Sequence, residues 1–265
     1  VRAKLDPGTT PMITGFVMQG EGSRPIMVRG VGETLQSFGL TGAAKDTSIQ
    51  LYRGSTVIAD NDDWALDPGA ATTRAATSTV GAFALAEGSK DAAMVRRLLA
   101  ENYTVHTVNK GTAAGVALVE VYDALGTYDG TNRIANVSAR AKISAGDGVL
   151  IAGMVISGET TCRVLVRAVG PTLSSFGVTG TLADPTLALY PAGSNSPVAT
   201  NDDWSTVQSI ITNEGLFKRV GAFDLPAGSK DSGLITRVTP GAYTLVASGK
   251  GAAEGQTLIE IYLID

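Results

Sequence analysis

The tetrapeptide Asn61-Asp62-Asp63-Trp64 occurs a second time as Asn201-Asp202-Asp203-Trp204, and the chain around it repeats as well. Gly81-Ala82-Phe83 returns as Gly221-Ala222-Phe223, and Gly88-Ser89-Lys90-Asp91 as Gly228-Ser229-Lys230-Asp231. Upstream, Arg2-Ala3-Lys4 matches Arg140-Ala141-Lys142, and Leu51-Tyr52 matches Leu189-Tyr190. The second copy gains two residues between its Tyr and its Asn. Length changes are tolerated at loop tips, so that segment is expected to be one. A duplication constrains the chain strongly, because both copies must satisfy one fold. The 265 residues therefore divide into two domains, each of roughly 125–130 residues and large enough for its own core.

Composition narrows the class. Gly is abundant at 32, and aromatics are only 6%. Gly, Ala, Thr and Val suit short strands joined by tight turns. The net charge of −4 argues against a nucleic-acid partner, which needs a basic face. One cysteine, Cys162, excludes an intrachain disulfide and a cysteine-based zinc site. It reads as a small apolar filler on a strand. No apolar run is long enough to cross a membrane as a helix. The sequence opens within a strand and shows no signal peptide, which reads as a processed, secreted chain at the cell surface or beyond.

Along the chain, Thr10–Met18 and Val149–Ile156 are matching apolar runs. Pro25–Val31 and Arg163–Val169 follow, each closing on a Gly. Thr34–Phe38 and Thr172–Phe176 have room only for a helical turn. Ile49–Tyr52 and Thr186–Tyr190 alternate as half-buried strands do. Asp91–Leu99 alone could pass for a helix, but its twin, Asp231–Pro240, carries Gly, β-branched residues and Pro. Both are therefore read as strands. Tyr103–Val108 and Tyr243–Ala247 lead through Asn109-Lys110-Gly111 and Gly249-Lys250-Gly251 into the last strands, Val116–Tyr122 and Thr257–Tyr262. About eight short strands per copy at 8–12-residue spacing, with no long helix, predict an all-β chain of two tandem antiparallel β-sandwiches. The boundaries expected are 1–123 for the first repeat, 124–132 for a linker and 133–265 for the second repeat.

The stretches LALYPAGSNSPVATNDDW (187–204), LPAGSKD (225–231) and VTPGAYTLVASGKGAAEGQTLIEIY (238–262) resemble bacterial pre-peptidase C-terminal (PPC-like) domains. The likeness covers the second two-thirds of each copy. It implies a jelly-roll-like extracellular module that accompanies other secreted parts. The preceding VRAVGPTLSSFGVTG (166–180) resembles repeats at the ends of large bacterial surface proteins. Neither resemblance implies catalytic chemistry.

Few constellations suggest a site. Asp60, Asp62 and Asp63 with Asn61, and in copy two Asp202 and Asp203 with Asn201, could offer oxygens to calcium, which takes six to eight. The other reading is that Asn and Asp close a turn through their own backbone while Trp anchors it. If calcium binds, Asp60 favours copy one, because Thr200 stands at its counterpart. Arg29 and Arg167 lie within apolar runs and need partners; Asp46 and Asp184 are the expected ones. The Gly-Ser-Lys-Asp segments read as hairpin connections. His106, the one histidine, has Val246 as its twin and reads as an ordinary strand residue rather than part of a triad. The glycine-rich stretches match neither a dinucleotide fingerprint nor a P-loop.

The expected function is structural: an extracellular bacterial subunit that assembles with its own kind into a filament or surface layer, without enzyme activity or transmembrane helix. The alternative is a calcium-dependent module that binds an extracellular polymer, carbohydrate or collagen-like. For assembly, copy one lacks the strand portion corresponding to Arg133–Ser138 and keeps only Val1, Ala3 and Leu5 of an apolar row. An uncovered row there could receive a strand from another copy. Leu263 and Ile264, apolar at the C-terminal end, are the candidate donors.

Overall fold

A computed structural model describes residues 1–8, 11–125, 132–146, 148–156 and 159–264. The chain divides into two compact units, Val1–Val137 and Ser138–Asp265, with the division inside a strand. Of the expected linker at 124–132, residues 126–131 lie outside the described residues.

Alternation of apolar and polar residues sets the strands of the first unit. They are β1 (Arg2–Leu5), β2 (Met12–Gly20), β3 (Arg24–Val31), β4 (Thr47–Arg53), β5 (Thr56–Asn61), β6 (Ala92–Leu98), β7 (Asn102–Asn109) and β8 (Gly115–Asp123). In β2 and β7 every second side chain is buried, the period of a strand with one face on a core. One sheet runs in the order β1-β8-β3-β6 and the other β2-β7-β4-β5. The registered pairs are antiparallel, and first and last strands are neighbours: Arg2 faces Leu118 and Leu5 faces Gly115. This is the eight-stranded jelly roll, in which two four-stranded sheets pack face to face.

The second unit contains β9 (Asn132–Ile143), which begins before the division, then β10 (Leu150–Ile156), β11 (Cys162–Val169) and β12 (Pro185–Pro191). It continues with β13 (Ala199–Asn201), β14 (Ser232–Val238), β15 (Gly241–Gly249) and β16 (Gly255–Leu263). Its sheets run β9-β16-β11-β14 and β10-β15-β12-β13. Position for position, this is the order of the first unit. The two residues gained by copy two fall between β12 and β13, in a hairpin connection, as expected of a loop tip.

Helices are few, and the α-helices of one long connection in each unit were not foreseen. The long connection between β5 and β6 contains α1 (Ala70–Thr79), and its counterpart contains α2 (Gln208–Glu214) and α3 (Leu216–Val220). The sequence AATTRAATST of α1 is rich in Thr, a poor helix former. Burial of Ala70, Thr73, Ala76 and Thr77 against β6 supports it instead. The Gly-Ser-Lys-Asp segments close these long connections and are not hairpin turns.

Each sandwich has two distinct ends. At one, here the loop end, lie the β1–β2, β3–β4, β5–β6 and β7–β8 connections of unit 1. At the other, the turn end, lie the short β2–β3, β4–β5 and β6–β7 turns. Unit 2 repeats this division. Core side chains fill the space between the sheets; Trp64 and Trp204, 2% and 3% exposed, occupy matching places on the opposite face of one sheet, beneath the long β5–β6 connection and its counterpart. Trp64 packs with Val31, Leu35 and Leu85; Trp204 packs with Leu165, Leu173 and Leu225. Gly32 shows why β3 closes on glycine: a Cβ there would lie 2.5 Å from the Ala44 carbonyl oxygen.

Candidate functional site

The repeated motifs converge at the loop end of each unit, and they bond chiefly to one another. Asn61 Oδ1 accepts the Ala93 amide at 2.7 Å, and Asn201 Oδ1 accepts that of Gly233 at 2.9 Å. The Trp64 amide donates to the Asp91 carbonyl, and its indole N–H to that of Ala86. Asp91 itself is wholly buried. Its carboxylate accepts the Gly32 amide at 2.6 Å, the Thr34 amide at 3.2 Å and the hydroxyls of Thr34 and Ser89. Asp231 accepts the same set from Gly170, Thr172 and Ser229. These carboxylates hold the starts of the 3-10 turns Glu33–Phe38 and Pro171–Phe176, whose first amides have no partner within the turn. Asn-Asp-Asp-Trp and Gly-Ser-Lys-Asp are thus two halves of one clasp.

The acids singled out for calcium face lysines. Lys110 donates to Asp62, and Lys90 lies 3.1 Å from Asp63. In unit 2, Lys250 donates to Asp202, and Lys230 lies 3.0 Å from Asp203. Lys250 also lies 3.7 Å from Asp184. Asp60 lies apart on β5, opposite Gln50. Burial, and then the Asp62 charge, push the Asp46 carboxyl above its usual range. Oδ1 of Asp46, Asp62 and Asp202 is shielded from solvent without a hydrogen-bond partner among the described residues. No group of three or more His, Cys, Asp or Glu among the described residues is placed to hold a metal ion. The ammonium groups stand where a cation would compensate the charge. Removing Lys110 (Lys110→Ala) is expected to shift the melting temperature by no more than about 2 °C, because exposed pairs contribute little. Calcium added to chelated wild-type protein should give no heat in calorimetry; a binding isotherm with a raised melting temperature would restore the calcium reading.

The buried arginines do not pair with Asp46 and Asp184, as the sequence suggested. Arg167 Nε donates to Glu260 at 2.8 Å, its Nη2 donates to the same carboxylate, and its Nη1 donates to the Phe223 carbonyl at 2.5 Å. Arg29 lies 2.9 Å from Glu120 and donates to the Phe83 carbonyl at 2.7 Å. The reason is register: Arg29 sits directly across from Glu120, and Arg167 from Glu260, on the neighbouring last strand. Tyr262 donates to Glu260 at 2.7 Å, and burial followed by the Glu260 charge holds its phenol above the usual range.

On the outer side of these arginines comes a stack that the sequence reading missed. The Arg29 guanidinium lies 4.4 Å from the centre of Phe83, and Phe83 meets Phe38 at 4.8 Å. In unit 2, Arg167 lies 4.3 Å from Phe223, which meets Phe176 at 4.8 Å. Phe38 and Phe176 end the stacks in solvent, 62% and 59% exposed. The identical Ser-Phe-Gly at 37–39 and 175–177 was the available signal. Beside Lys110 in unit 1 lies an open depression of about 520 Å³, lined by Pro7, Gly8, Val108, Asn109 and Gly111.

The remaining candidates are dispersed. His106 sits in β7 with its ring 4.2 Å from that of Tyr52. Cys162 opens β11, half-buried, and burial pushes its thiol up. The uncovered apolar row expected at the first strand is absent: Ala3 and Leu5 are 3% and 4% exposed, because β1 pairs with β8 and directs both inward. The Val1 amino group donates to the Val119 carbonyl. Ile264 packs on the core of unit 2, and Leu263 is exposed.

No family model matches the chain, and no curated protein matches it. Among solved structures, the crystal structure of the STIV MCP aligns over 100% of this chain and 96% of that one, at 10% identity and a TM-score of 0.27. A quasi-atomic model of the PBCV-1 virus capsid aligns over 99% and 93%, at 9% identity and a TM-score of 0.22. The infectious bursal disease virus VP2 subviral particle aligns over 99% and 72%, at 10% identity and a TM-score of 0.20. At these TM-scores the likenesses have no bearing on function, and the fold rests on the strand orders above.

Proposed function

We propose that this protein is a non-enzymatic structural subunit that assembles with copies of itself into an extracellular bacterial filament or surface layer. One observation carries the reading. In both units the polar residues of the repeated motifs bond to one another, whereas the feature left exposed in both is a rigidly mounted aromatic side chain. A site built for chemistry leaves polar groups poised toward a cavity. Here the repeated acids, lysines and amides support loops. The extracellular bacterial setting is supported by the sequence resemblance to PPC-like modules and surface-protein repeats.

The test is sedimentation velocity and electron microscopy of purified protein over a wide concentration range. Growth into filaments or sheets is expected. A monomer at every concentration would overturn the reading. The exposed Phe38 and Phe176 favour one alternative, a module that binds an extracellular polymer. In that case the protein would stay monomeric and be retained on immobilised polysaccharide or collagen-like polymer.

A further inference from the structure

We propose that copies of this chain join end to end, with the loop end bearing Phe38 or Phe176 in one copy seated on the turn end of the next. This rests on the assembly reading and assigns its contact surface. It moves the contact away from the first strand, whose apolar side chains are already covered.

Phe38 and Phe176 are preorganised. Each ends a 3-10 turn whose start is tied to a buried aspartate and whose end is closed by a glycine at φ 80° or 79°. Each ring rests on a second Phe that lies against a buried arginine. A rigid aromatic loses little conformational freedom on binding, which is why such residues anchor interfaces. The tip has also stayed the same in both copies. Other exposed positions have diverged, such as Lys45 and Ala183, or Glu101 and Gly241. An exposed Phe kept twice, beyond what its stacking needs, calls for a partner.

The partner surface lies on the same chain. Apart from the tips and two residues in the long helical connections, the exposed large apolar side chains among the described residues gather toward the turn ends: Val57, Ile58, Leu99 and Leu125 in unit 1, and Val155, Val198 and Leu263 in unit 2. The turn ends also carry exposed Arg97 and its twin Arg237, and in unit 1 the Arg53–Glu101 ion pair. Edge-to-edge pairing is opposed at three of the four outermost strands. The outermost β5 carries a bulge at Ile58, and the outermost β6 and β14 carry those arginines. Contact between two different ends does not close on itself, so it propagates.

The experiment uses two full-length variants, each checked by circular dichroism and melting. The tip variant carries Phe38→Ser and Phe176→Ser; the turn variant carries Leu99→Ser, Val155→Ser and Val198→Ser. Each alone should self-associate about 30-fold more weakly than wild type, or less tightly still. Mixed together, they should form complexes containing both, because each retains the end the other lacks. A Phe38→Tyr, Phe176→Tyr variant should assemble as wild type does. If wild type assembles and the tip variant does so equally well, the contact is elsewhere and the assembly reading survives. If the turn variant assembles alone while the tip variant does not, the contact is tip to tip. If the two do not combine, the end-to-end contact is wrong. A monomeric wild type overturns both readings.

Discussion

Replacing Asp91 by alanine should lower the stability of the first unit by about 4 kcal/mol, and Asp231→Ala should do the same in the second. Each carboxylate is fully buried and accepts from two amides and two hydroxyls. Hydrogen bonds to a charged group contribute roughly 1.5–3 kcal/mol each, and buried donors left without an acceptor cost about 1–3 kcal/mol each. Local rearrangement and entering water recover part of that sum, so the loss falls below the simple total. Asp91→Asn keeps the shape but exchanges one acceptor oxygen for a donor, and an intermediate loss of about 2 kcal/mol is expected. Urea denaturation of the three variants measures this. A loss under about 1 kcal/mol for Asp91→Ala would mean that the clasp does not hold the loop end. Fluorescence of Trp64 should change in the same variant, because its indole N–H donates to the Ala86 carbonyl, and the Ala86 amide donates to the Thr34 hydroxyl that the Asp91 carboxylate holds.

The buried ion pair of unit 2 gives the second large effect. Arg167 is wholly buried and Glu260 nearly so. Arg167→Ala strands the Glu260 charge and should cost about 3–5 kcal/mol, as single removals from buried pairs do. Joint replacement, Arg167→Met with Glu260→Leu, removes both charges and should recover much of the loss. Recovery is incomplete here for a local reason. Tyr262 loses the acceptor for its phenol, and the Phe223 carbonyl loses its guanidinium donor. A double-mutant cycle by urea denaturation separates these contributions. If the double variant is less stable than Arg167→Ala, the pair contributes net stability beyond mutual charge compensation. If Arg167→Ala costs nothing, the site is hydrated and the pair is not buried in solution.

Much of the architecture was legible in the sequence, because alternation and duplication are local patterns. The ambiguous Asp91–Leu99 became β6 once its twin showed Gly and Pro in the same register. What escaped reading depends on register and depth. Arg29 was matched with Asp46 by sequence logic, but the antiparallel pairing of β3 with β8 places Glu120 beside it. The helix α1 was invisible because its Thr-rich sequence argues against it. Its tertiary support includes the Arg74 guanidinium, 4.7 Å from the Trp64 ring centre, which unit 2 replaces with Phe217 against Trp204. The acids of Asn-Asp-Asp-Trp suggested metal because the lysines that face them lie 27 and 48 positions away in sequence. Phe38 gave no sign of exposure, since an aromatic in an apolar context reads as core.

The pairing of first strand with last has a consequence for how the chain is made. In unit 1 the opening residue bonds to Val119, 118 positions later. A ribosome releases the chain from its N-terminal end, so β1 emerges long before β8 exists to receive it. The β1-β8-β3-β6 sheet cannot then be completed until the closing strand has left the exit tunnel. Contacts of such long sequence separation are slow to form and leave apolar strands waiting. Synthesis therefore carries each jelly roll through an extended period as an incomplete sandwich. The second unit begins that period as the first comes to its end.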